Sequence, residues 1–231
     1  MRLKLLFAAL LLSASAVTPV AAQDKTLKIV LDTELQVLDP IATTSYVTRT
    51  FAYMVFDTLV SMDSKGEYRP QMLESWEVSP DKMSYTFRLR PGLKWHDGTD
   101  VTAEDCVASL KRWGARDGLG RQMFAATKEI KAVDASTFTL VLSKPFGLVI
   151  DSIGKPSSNV PVMMPARLAA TDPTKPIPEV IGSGPFTFDS KSWRPGNIAV
   201  FLKFKDYKSR PEPSDGLAGG RLCCRSPQPI A

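Results

Sequence analysis

Histidine and cysteine are scarce in this sequence, and their scarcity excludes several classes of site. The 231 residues contain one histidine, His96, and three cysteines, Cys106, Cys223 and Cys224. An odd number of cysteines, two of them adjacent, excludes a disulfide framework. Cys223 and Cys224 lack the second pair of ligands that a structural metal site requires. Cys106 stands within a predicted helix, where we expect it to pack as a small apolar side chain.

Long runs of one charge are also missing. The chain carries 29 Lys and Arg residues against 24 Asp and Glu residues, which gives a formal net charge of +5. No cluster of basic residues predicts binding to nucleic acid, so we interpret the charges as a solvated surface. With 44% hydrophobic and 23% charged residues, the composition is typical of a globular protein with a sizeable core.

Residues 1–22 have the composition of a secretory signal peptide. Arg2 and Lys4 supply the charged start, residues 5–12 are apolar, and residues 20–22 are small. The apolar run is too short to span a bilayer as a helix, and no cysteine stands at the cleavage point to carry a lipid anchor. We therefore expect cleavage before Gln23 and export of the mature chain to the periplasm.

Residues 63–113 form the most informative part of the sequence. Apolar and polar residues alternate within 75–78 and within 84–90, and residues 79–82 supply a turn that contains Pro80 and Asp81. A period of two places alternate side chains on one buried face, so an antiparallel hairpin is predicted. The residues expected on its buried face are Trp76, Val78, Tyr85, Phe87 and Leu89.

A capped helix is predicted to follow this hairpin. Thr102 with Asp105 three residues later resembles a capping box, although Asp is a weaker partner there than Glu or Gln. The residues expected on one apolar stripe of the helix are Ala103, Val107, Leu110 and Gly114. Residues 114–120 are interpreted as a polar break that ends the helix.

The remaining segments complete a mixed pattern of helices and strands. The further predicted elements are strands at 26–31 and 199–204, a helix over 44–60, a second hairpin from 128–133 and 137–142, and short helical pieces at 122–126 and 165–170. The apolar stripe of the 44–60 helix, interpreted as core, is Val47, Phe51, Met54, Val55 and Leu59. Dense proline makes residues 156–178 irregular. The pattern favours an α/β fold with a small α+β subdomain.

Several short segments occur in an order that one protein family shares. They are Leu-Asp-Pro at 38–40, SWE at 75–77, YTFRLR at 85–90, GLKWHDG at 92–98, VTAED at 101–105, SLKRW at 109–113, IGSGPFTF at 181–188 and WRPG at 193–196. In this order they resemble the extracytoplasmic solute-binding proteins of family 5, which are the peptide- and nickel-type receptors of ABC importers.

The resemblance implies a periplasmic-binding-protein-like fold whose two lobes close on a ligand. It assigns residues 23–62 to the first segment of lobe I, residues 63–178 to its α+β hairpin subdomain, and residues 179–220 to the return segment. Gly182 and Gly184 do not match a P-loop, because no Gly-Lys-Ser/Thr follows them. Tight backbone packing between lobes is the favoured reason for these glycines.

The same resemblance implies a ligand site. In the family, the loop after the first strand lies at the mouth of the ligand cleft, and Thr33, Glu34, Leu35 and Gln36 occupy that place here. Glu34 or its neighbouring backbone would meet a ligand amine; the alternative is a solvated loop acid. The implied partners are a peptide or other small solute and the permease subunits of an ABC transporter. We expect a monomer that binds without chemistry and without a cofactor.

The resemblance stops at Gly220. Residues 221–231 show no periodicity and no apolar face, and our hypothesis is that the reading frame shifts near Gly220; a natural short variant is the alternative. In the family, the second lobe and much of the binding pocket come later in the chain. We therefore expect that this chain alone is poorly stable and binds no peptide tightly.

Three other functions stay open. A secreted hydrolase would use His96 and Asp97, but no Gly-x-Ser-x-Gly accompanies them, and a turn before the helix is the favoured interpretation. A receptor of the nickel-binding branch would need more than one histidine, unless a carried chelator supplied ligands. The last alternative is a nonfunctional fragment.

Overall fold

The computed structural model describes residues 26–157 and 159–220. The predicted signal peptide, the cleavage point and the tail with Cys223 and Cys224 lie outside these residues. The chain divides between residues 31 and 32 into a short first unit and a large second unit, and each is taken by itself below.

Residues 26–31 of the first unit form no strand, so the predicted strand there is wrong. Leu27 and Val30 are 83% and 98% exposed. A strand needs a hydrogen-bonded neighbour, and none of the strands that the structure describes pairs with this segment. Its apolar residues predicted burial, but a local pattern does not supply a pairing partner.

The second unit contains five helices and eight strands among its described residues. In chain order these are α1 (Tyr46–Val55), β1 (Val60–Met62), β2 (Tyr68–Pro70), β3 (Leu73–Val78), β4 (Ser84–Leu89), α2 (Ala103–Arg116), α3 (Gly118–Ala126), β5 (Thr127–Ala132), β6 (Thr137–Leu142), α4 (Val149–Gly154), α5 (Ala166–Ala169), β7 (Phe186–Phe188) and β8 (Phe201–Lys203). The main sheet is antiparallel, with strand order β3-β4-β6-β5. Two small ribbons pair β1 with β2 and β7 with β8.

The two predicted hairpins are confirmed, and together they make the four-stranded sheet. Phe87 on β4 lies opposite Phe138 on β6, and their rings stack with centroids 4.9 Å apart. Tyr85, Phe87 and Leu89 are all buried, as predicted. Alternation on two neighbouring strands therefore builds one continuous apolar face.

The prediction for β3 was wrong in part, because Trp76 is only half-buried and Val78 is 42% exposed. Both lie on the same face as Phe87, since Trp76 is directly opposite it in the register. Helix α2 packs over β5 and β6, which lie toward the opposite edge of the sheet from β3. The edge strand β3 therefore alternates apolar and polar residues in its sequence, but α2 packs mainly over other strands of the sheet.

The capping box at the start of α2 is confirmed. The Asp105 backbone N–H donates to Thr102 Oγ1 at 3.3 Å, and the Thr102 backbone N–H donates to Asp105 Oδ2 at 2.9 Å. Asp105 also accepts hydrogen bonds from the Trp95 indole at 3.2 Å and from the Ala166 N–H at 2.7 Å. One carboxylate thus caps α2 and fixes two distant segments of the chain against it. The predicted apolar stripe of the helix is buried along its length.

The polar break predicted at residues 114–120 is wrong. Helix α2 continues to Arg116 and α3 begins at Gly118, so only Asp117 separates them. Asp117 caps α3 by accepting from the N–H groups of Leu119 and Gly120 at 2.9 Å. A Cβ placed on Gly120 would lie 2.9 Å from the Gly114 Cα. These glycines serve close packing of two helices, which local sequence does not distinguish from helix termination.

The other predicted elements are present with different bounds. The helix predicted over 44–60 is α1, which ends at Val55, while Leu59 is buried beyond it. The helical pieces at 122–126 and 165–170 correspond to α3 and α5, and the strand at 199–204 contains β8. Cys106 is fully buried, as predicted.

A buried ion pair joins three parts of the second unit. Arg112 on α2 forms a two-pronged contact with Asp39, at 2.8 Å and 3.3 Å, and each side chain is only 1% exposed. Arg112 also donates to the carbonyls of Thr171 and Lys175, while Asp39 accepts from the N–H groups of Ile41 and Ile177. The pair has good geometry and added hydrogen bonds, the conditions under which a buried ion pair is tolerated.

We expect Arg112→Leu to lower the free energy of unfolding by about 3 to 5 kcal/mol, because the substitution leaves the Asp39 carboxylate buried and unpaired. Denaturant unfolding followed by circular dichroism measures the change. Arg167→Leu is the matched control, since Arg167 pairs with Asp97 and Glu179 while half exposed, and should cost less than about 1 kcal/mol. Equal losses in the two variants would contradict this account.

Gly182 and Gly184 are tightly packed, as expected, but the expected location between lobes is wrong: their neighbour is the C-terminal end of α1, which the family assignment places in the same lobe. The Gly184 N–H donates to the Val55 carbonyl at 2.9 Å. A Cβ on Gly182 would lie 2.1 Å from the Val55 carbonyl oxygen, and one on Gly184 would lie 2.7 Å from it. Only glycine allows this approach of two backbones.

We expect Gly182→Ala to destabilise the fold by about 3 kcal/mol, because the methyl group meets rigid backbone rather than a movable side chain. Gly118→Ala is the control: a Cβ there has nothing within 4 Å, and alanine favours the helix by about 1 kcal/mol at most. Thermal unfolding of both variants provides the comparison. Wild-type stability in Gly182→Ala would refute the packing argument.

Candidate functional site

A shallow groove of about 340 Å³ lies where the loop after residue 32 runs past the start of α1. Its lining residues are Thr33, Glu34, Gln36, Val37, Thr43, Ser45 and Thr48. Six of these seven residues carry a hydroxyl, amide or carboxylate group, so the groove offers several hydrogen-bonding groups. Three of the four predicted site residues therefore come together in one depression.

Leu35 differs from the other three predicted residues. Its side chain is 5% exposed and belongs to the hydrophobic core. It can offer only backbone groups to a ligand. Its burial between the exposed residues Glu34 and Gln36 anchors the loop, so that the flanking side chains are directed outward.

The loop that carries the groove is held by bonds from side chains to backbone. Thr48 Oγ1 on α1 donates to the Val37 carbonyl at 2.7 Å. The Asn159 amide lies within 3.1 Å of the carbonyl oxygens of Pro40, Ile41 and Thr43. The loop has no regular ladder, so these side chains satisfy its backbone and fix its path.

Glu34 is the charged group of the groove. Its carboxylate accepts a hydrogen bond from the Gln36 side-chain amide at 3.0 Å, and the residue is exposed. Within residues 26–157 and 159–220, no Lys or Arg side chain forms an ion pair with it. A carboxylate that lacks a cation can accept a charged donor from a ligand.

The sequence prediction missed the opposite wall of the groove. Val37, Thr43, Ser45 and Thr48 line it alongside the predicted residues. Thr43 and Ser45 lie in the turn before α1, and Thr48 occupies the buried face of the helix. No motif marks them, because their contribution depends on how the helix packs against the loop.

A second depression, of about 370 Å³, lies between residues 63–70 and 210–219. Its two arginines are already paired: Arg69 contacts Asp63 at 2.9 Å, and Arg210 forms two bonds to Glu212 at 2.9 Å and 3.0 Å. Arg210 also donates to the carbonyls of Gln71 and Leu73. The bonds from Arg210 to these carbonyls tie the last described segment to the strands.

His96 and Asp97 form no catalytic dyad. The Gly182 N–H donates to His96 Nδ1 at 3.3 Å, and Nε2 donates to the Gly184 carbonyl at 3.0 Å. This arrangement requires the neutral imidazole with its proton on Nε2. The Asp97 carboxylate instead accepts from Thr99 and Arg167, and the hydrogen bonds from Thr99 and Arg167 lower its pKa. Both ring nitrogens thus form hydrogen bonds with backbone groups of Gly182 and Gly184.

Burial lowers the pKa of His96 below its ordinary value of 6.5, against a smaller opposing effect of the Gly184 hydrogen bond. The unfolded chain therefore binds a proton at a pH where the folded chain does not. Stability should fall as pH decreases below about 6.5, through the window that ends at the folded-state pKa.

We expect His96→Gln to lose about 1 to 2 kcal/mol at pH 8, where the native hydrogen bonds are intact. The difference in unfolding free energy between wild type and His96→Gln should shrink as the pH is lowered from 7 to 5, because only wild type has the histidine penalty. Carboxylate titrations are common to both proteins and cancel. A constant difference across this range would disprove the proposed protonation state of His96.

The Cys106 thiol and possible metal ligands are the other groups of chemical interest outside the groove. Burial raises the pKa of the Cys106 thiol far above its usual range, which leaves the thiol unreactive at neutral pH. Among the residues that the structure describes, no group of three His, Cys, Asp or Glu side chains is placed to hold a metal ion. None of the helices in this part of the chain is both long and apolar enough to cross a bilayer.

Comparisons with known proteins identify relatives of this fold. Over 206 residues, the chain is 41% identical to a probable peptide ABC transporter periplasmic-binding protein, y4tO, of Sinorhizobium fredii, covering 89% of this chain and 38% of the relative. The solved structure of the PBP AgaA from A. tumefacien R10, in complex with agropinic acid, matches with a TM-score of 0.63 and 34% identity, covering 76% of this chain and 35% of AgaA. The oligopeptide-binding protein AppA of Bacillus subtilis, solved with a nonapeptide, shares the fold at a TM-score of 0.64 and 19% identity, over 76% of this chain and 35% of AppA.

The chain thus spans little more than a third of the length of these relatives, and its fold is that of part of one lobe of a periplasmic binding protein. Residues 67–217 match the family described as bacterial extracellular solute-binding proteins, family 5 middle. This match includes the hairpins, the capped helix and the segment with Gly182 and Gly184 described above. The chain therefore belongs to the family 5 bacterial extracellular solute-binding proteins.

Proposed function

We propose that this chain contributes to the substrate-binding component of an ABC importer, which binds a peptide-like solute in the periplasm and delivers it to permease subunits. The observation that carries this proposal is the Glu34 carboxylate in the groove, which forms no ion pair with a Lys or Arg side chain among the described residues. Family membership supports it, and so does the name of the Sinorhizobium fredii relative. The protein would act as a monomer, and the membrane would be met only through the transporter.

The chemistry of the groove fits an extended ligand with an amine. A peptide N-terminus carries a positive charge and several N–H donors, and the Glu34 carboxylate can accept a charge-assisted bond from it. The Gln36 amide and the hydroxyls of Thr33, Thr43 and Ser45 supply donors and acceptors for peptide backbone groups. Recognition through backbone groups suits a receptor that carries peptides of varied sequence.

We infer binding without chemistry. Both ring nitrogens of His96 form hydrogen bonds with the backbone of Gly182 and Gly184, so His96 cannot serve as a general base without losing those bonds. A triad requires a base near a nucleophile and an acid that orients it, and Asp97 is directed to Thr99 and Arg167 instead. The groove itself contains one carboxylate and no histidine or cysteine.

Tight binding would require more of the protein than the part described here. Family receptors close two lobes on the ligand, and this chain spans 38% of the Sinorhizobium fredii relative. The groove provides one wall of such a site. Its affinity for a short peptide should therefore be weak, in the millimolar range.

A small solute other than a peptide is the second candidate. The AgaA structure, 34% identical over 76% of this chain, contains agropinic acid. The same groove would then bind the solute through its hydroxyl and amide groups. Replacing trialanine by agropinic acid in the titration described next would test this candidate.

We expect trialanine to shift the amide NMR signals of residues 33–48, and Glu34→Gln to weaken that binding roughly tenfold, because a charge-assisted bond of about 1.5 kcal/mol or more is lost. N-acetyl-trialanine should bind wild type as weakly as trialanine binds the variant. Glu77→Gln on β3, which removes an exposed acid outside the groove lining, is the control and should leave the affinity unchanged. Equal affinity of wild type for both peptides would exclude Glu34 as the amine-binding group.

A further inference from the structure

A tight turn in the return segment lies directly against the Glu34 carboxylate. The Arg194 N–H donates to the Ile198 carbonyl at 2.9 Å, and the Ile198 N–H donates back to the Arg194 carbonyl at 3.0 Å. Gly196 stands at the tip of this turn with φ of +71°. The turn contains the WRPG segment, for which the function proposed above gives no role.

The contact between Gly196 and Glu34 is closer than a Cβ at residue 196 would permit with the carboxylate in its present position. A Cβ built on Gly196 would lie 2.8 Å from Glu34 Oε1 and 3.0 Å from its carboxyl carbon. On the other side, the Gln36 amide donates to Glu34 Oε2 at 3.0 Å. The carboxylate is therefore confined between a side-chain amide and the Cα of a glycine.

The positive φ accounts for part of the preference for glycine, since L-residues with a Cβ adopt it at a cost. The close approach adds a separate constraint, because any residue with a Cβ, including asparagine, which tolerates this φ better than most, would require the Glu34 carboxylate to move. The neighbouring atoms belong to the end of a flexible Glu side chain. A Cβ at residue 196 would therefore displace the carboxylate and leave the backbone in place, unlike a Cβ at Gly182.

We propose that Gly196 is a positioning residue for the solute site. Because Gly196 has no side chain, it leaves the space in which the Glu34 carboxylate lies at the groove. This inference rests on the proposed function, in which Glu34 binds the ligand amine. It adds that the WRPG turn determines where that negative charge is presented. The discrimination between a free amine and an acetylated amine is the property that Gly196 controls.

The experiment compares Gly196→Ala with Gly66→Ala in the full chain. Gly66 has a similar φ of +82°, but a Cβ there has nothing within 4 Å, so both variants should show a similar decrease in melting temperature. The readout is the ratio of dissociation constants for N-acetyl-trialanine and trialanine, measured by NMR titration. We expect a ratio of about ten in wild type and in Gly66→Ala, and a ratio near one in Gly196→Ala. A ratio near ten in Gly196→Ala would overturn the proposal.

Two further variants separate this inference from the proposed function. Glu34→Gln should lower the ratio to near one, and adding Gly196→Ala to it should change nothing more. If Glu34→Gln keeps the wild-type ratio, the proposed role of Glu34 fails. If Glu34→Gln lowers the ratio but Gly196→Ala does not, only the positioning role fails. Gly196→Asn repeats the test with less backbone strain, and it decides the question if the alanine variant does not fold.

Discussion

The buried pair of Asp39 and Arg112 is the constraint on which the rest of the second unit depends. It joins the loop before α1, the centre of α2 and the proline-dense segment at 171–177. Two charges removed from water are tolerated only when each is paired and fully hydrogen-bonded. All three segments must therefore be in place at once, and the groove loop is fixed as a result.

The same design recurs wherever the chain is irregular. Asp105 holds the Trp95 indole and the N–H of Ala166, the first residue of α5. Asn159 holds three carbonyl groups of the 40–43 segment. Segments without a helix or a ladder still have backbone groups that need partners, and single polar side chains supply them here. The groove that contains Glu34 thus lies on a loop that is irregular in shape but firmly fixed.

Local features of the sequence predicted local structure well. Alternation identified both hairpins, and Thr102 with Asp105 identified the start of α2, because period and capping depend on near neighbours. The burial of Val78, the function of Gly114 and Gly120, and the pairing of residues 26–31 depend on distant partners, and there the predictions failed. The groove shows the same division: Thr33, Glu34 and Gln36 were found through the family resemblance, whereas Thr43, Ser45 and Thr48 required the packing of α1. His96 and Arg112 were recognised as parts of motifs, and only the fold gives them roles.

The edge strand β3 has a consequence for how these molecules coexist at high concentration. In the part of the chain that the structure describes, β3 pairs with one strand only, β4. The Leu73 backbone bonds to the Leu59 carbonyl and the Arg210 side chain, and no described strand pairs with the rest of the outer edge. Glu74 and Glu77 are exposed along it, and the register is interrupted between Leu73 and Ser75. Like charges and an irregular register both oppose the addition of a strand from another molecule. The sheet border thus carries its own protection against intermolecular aggregation.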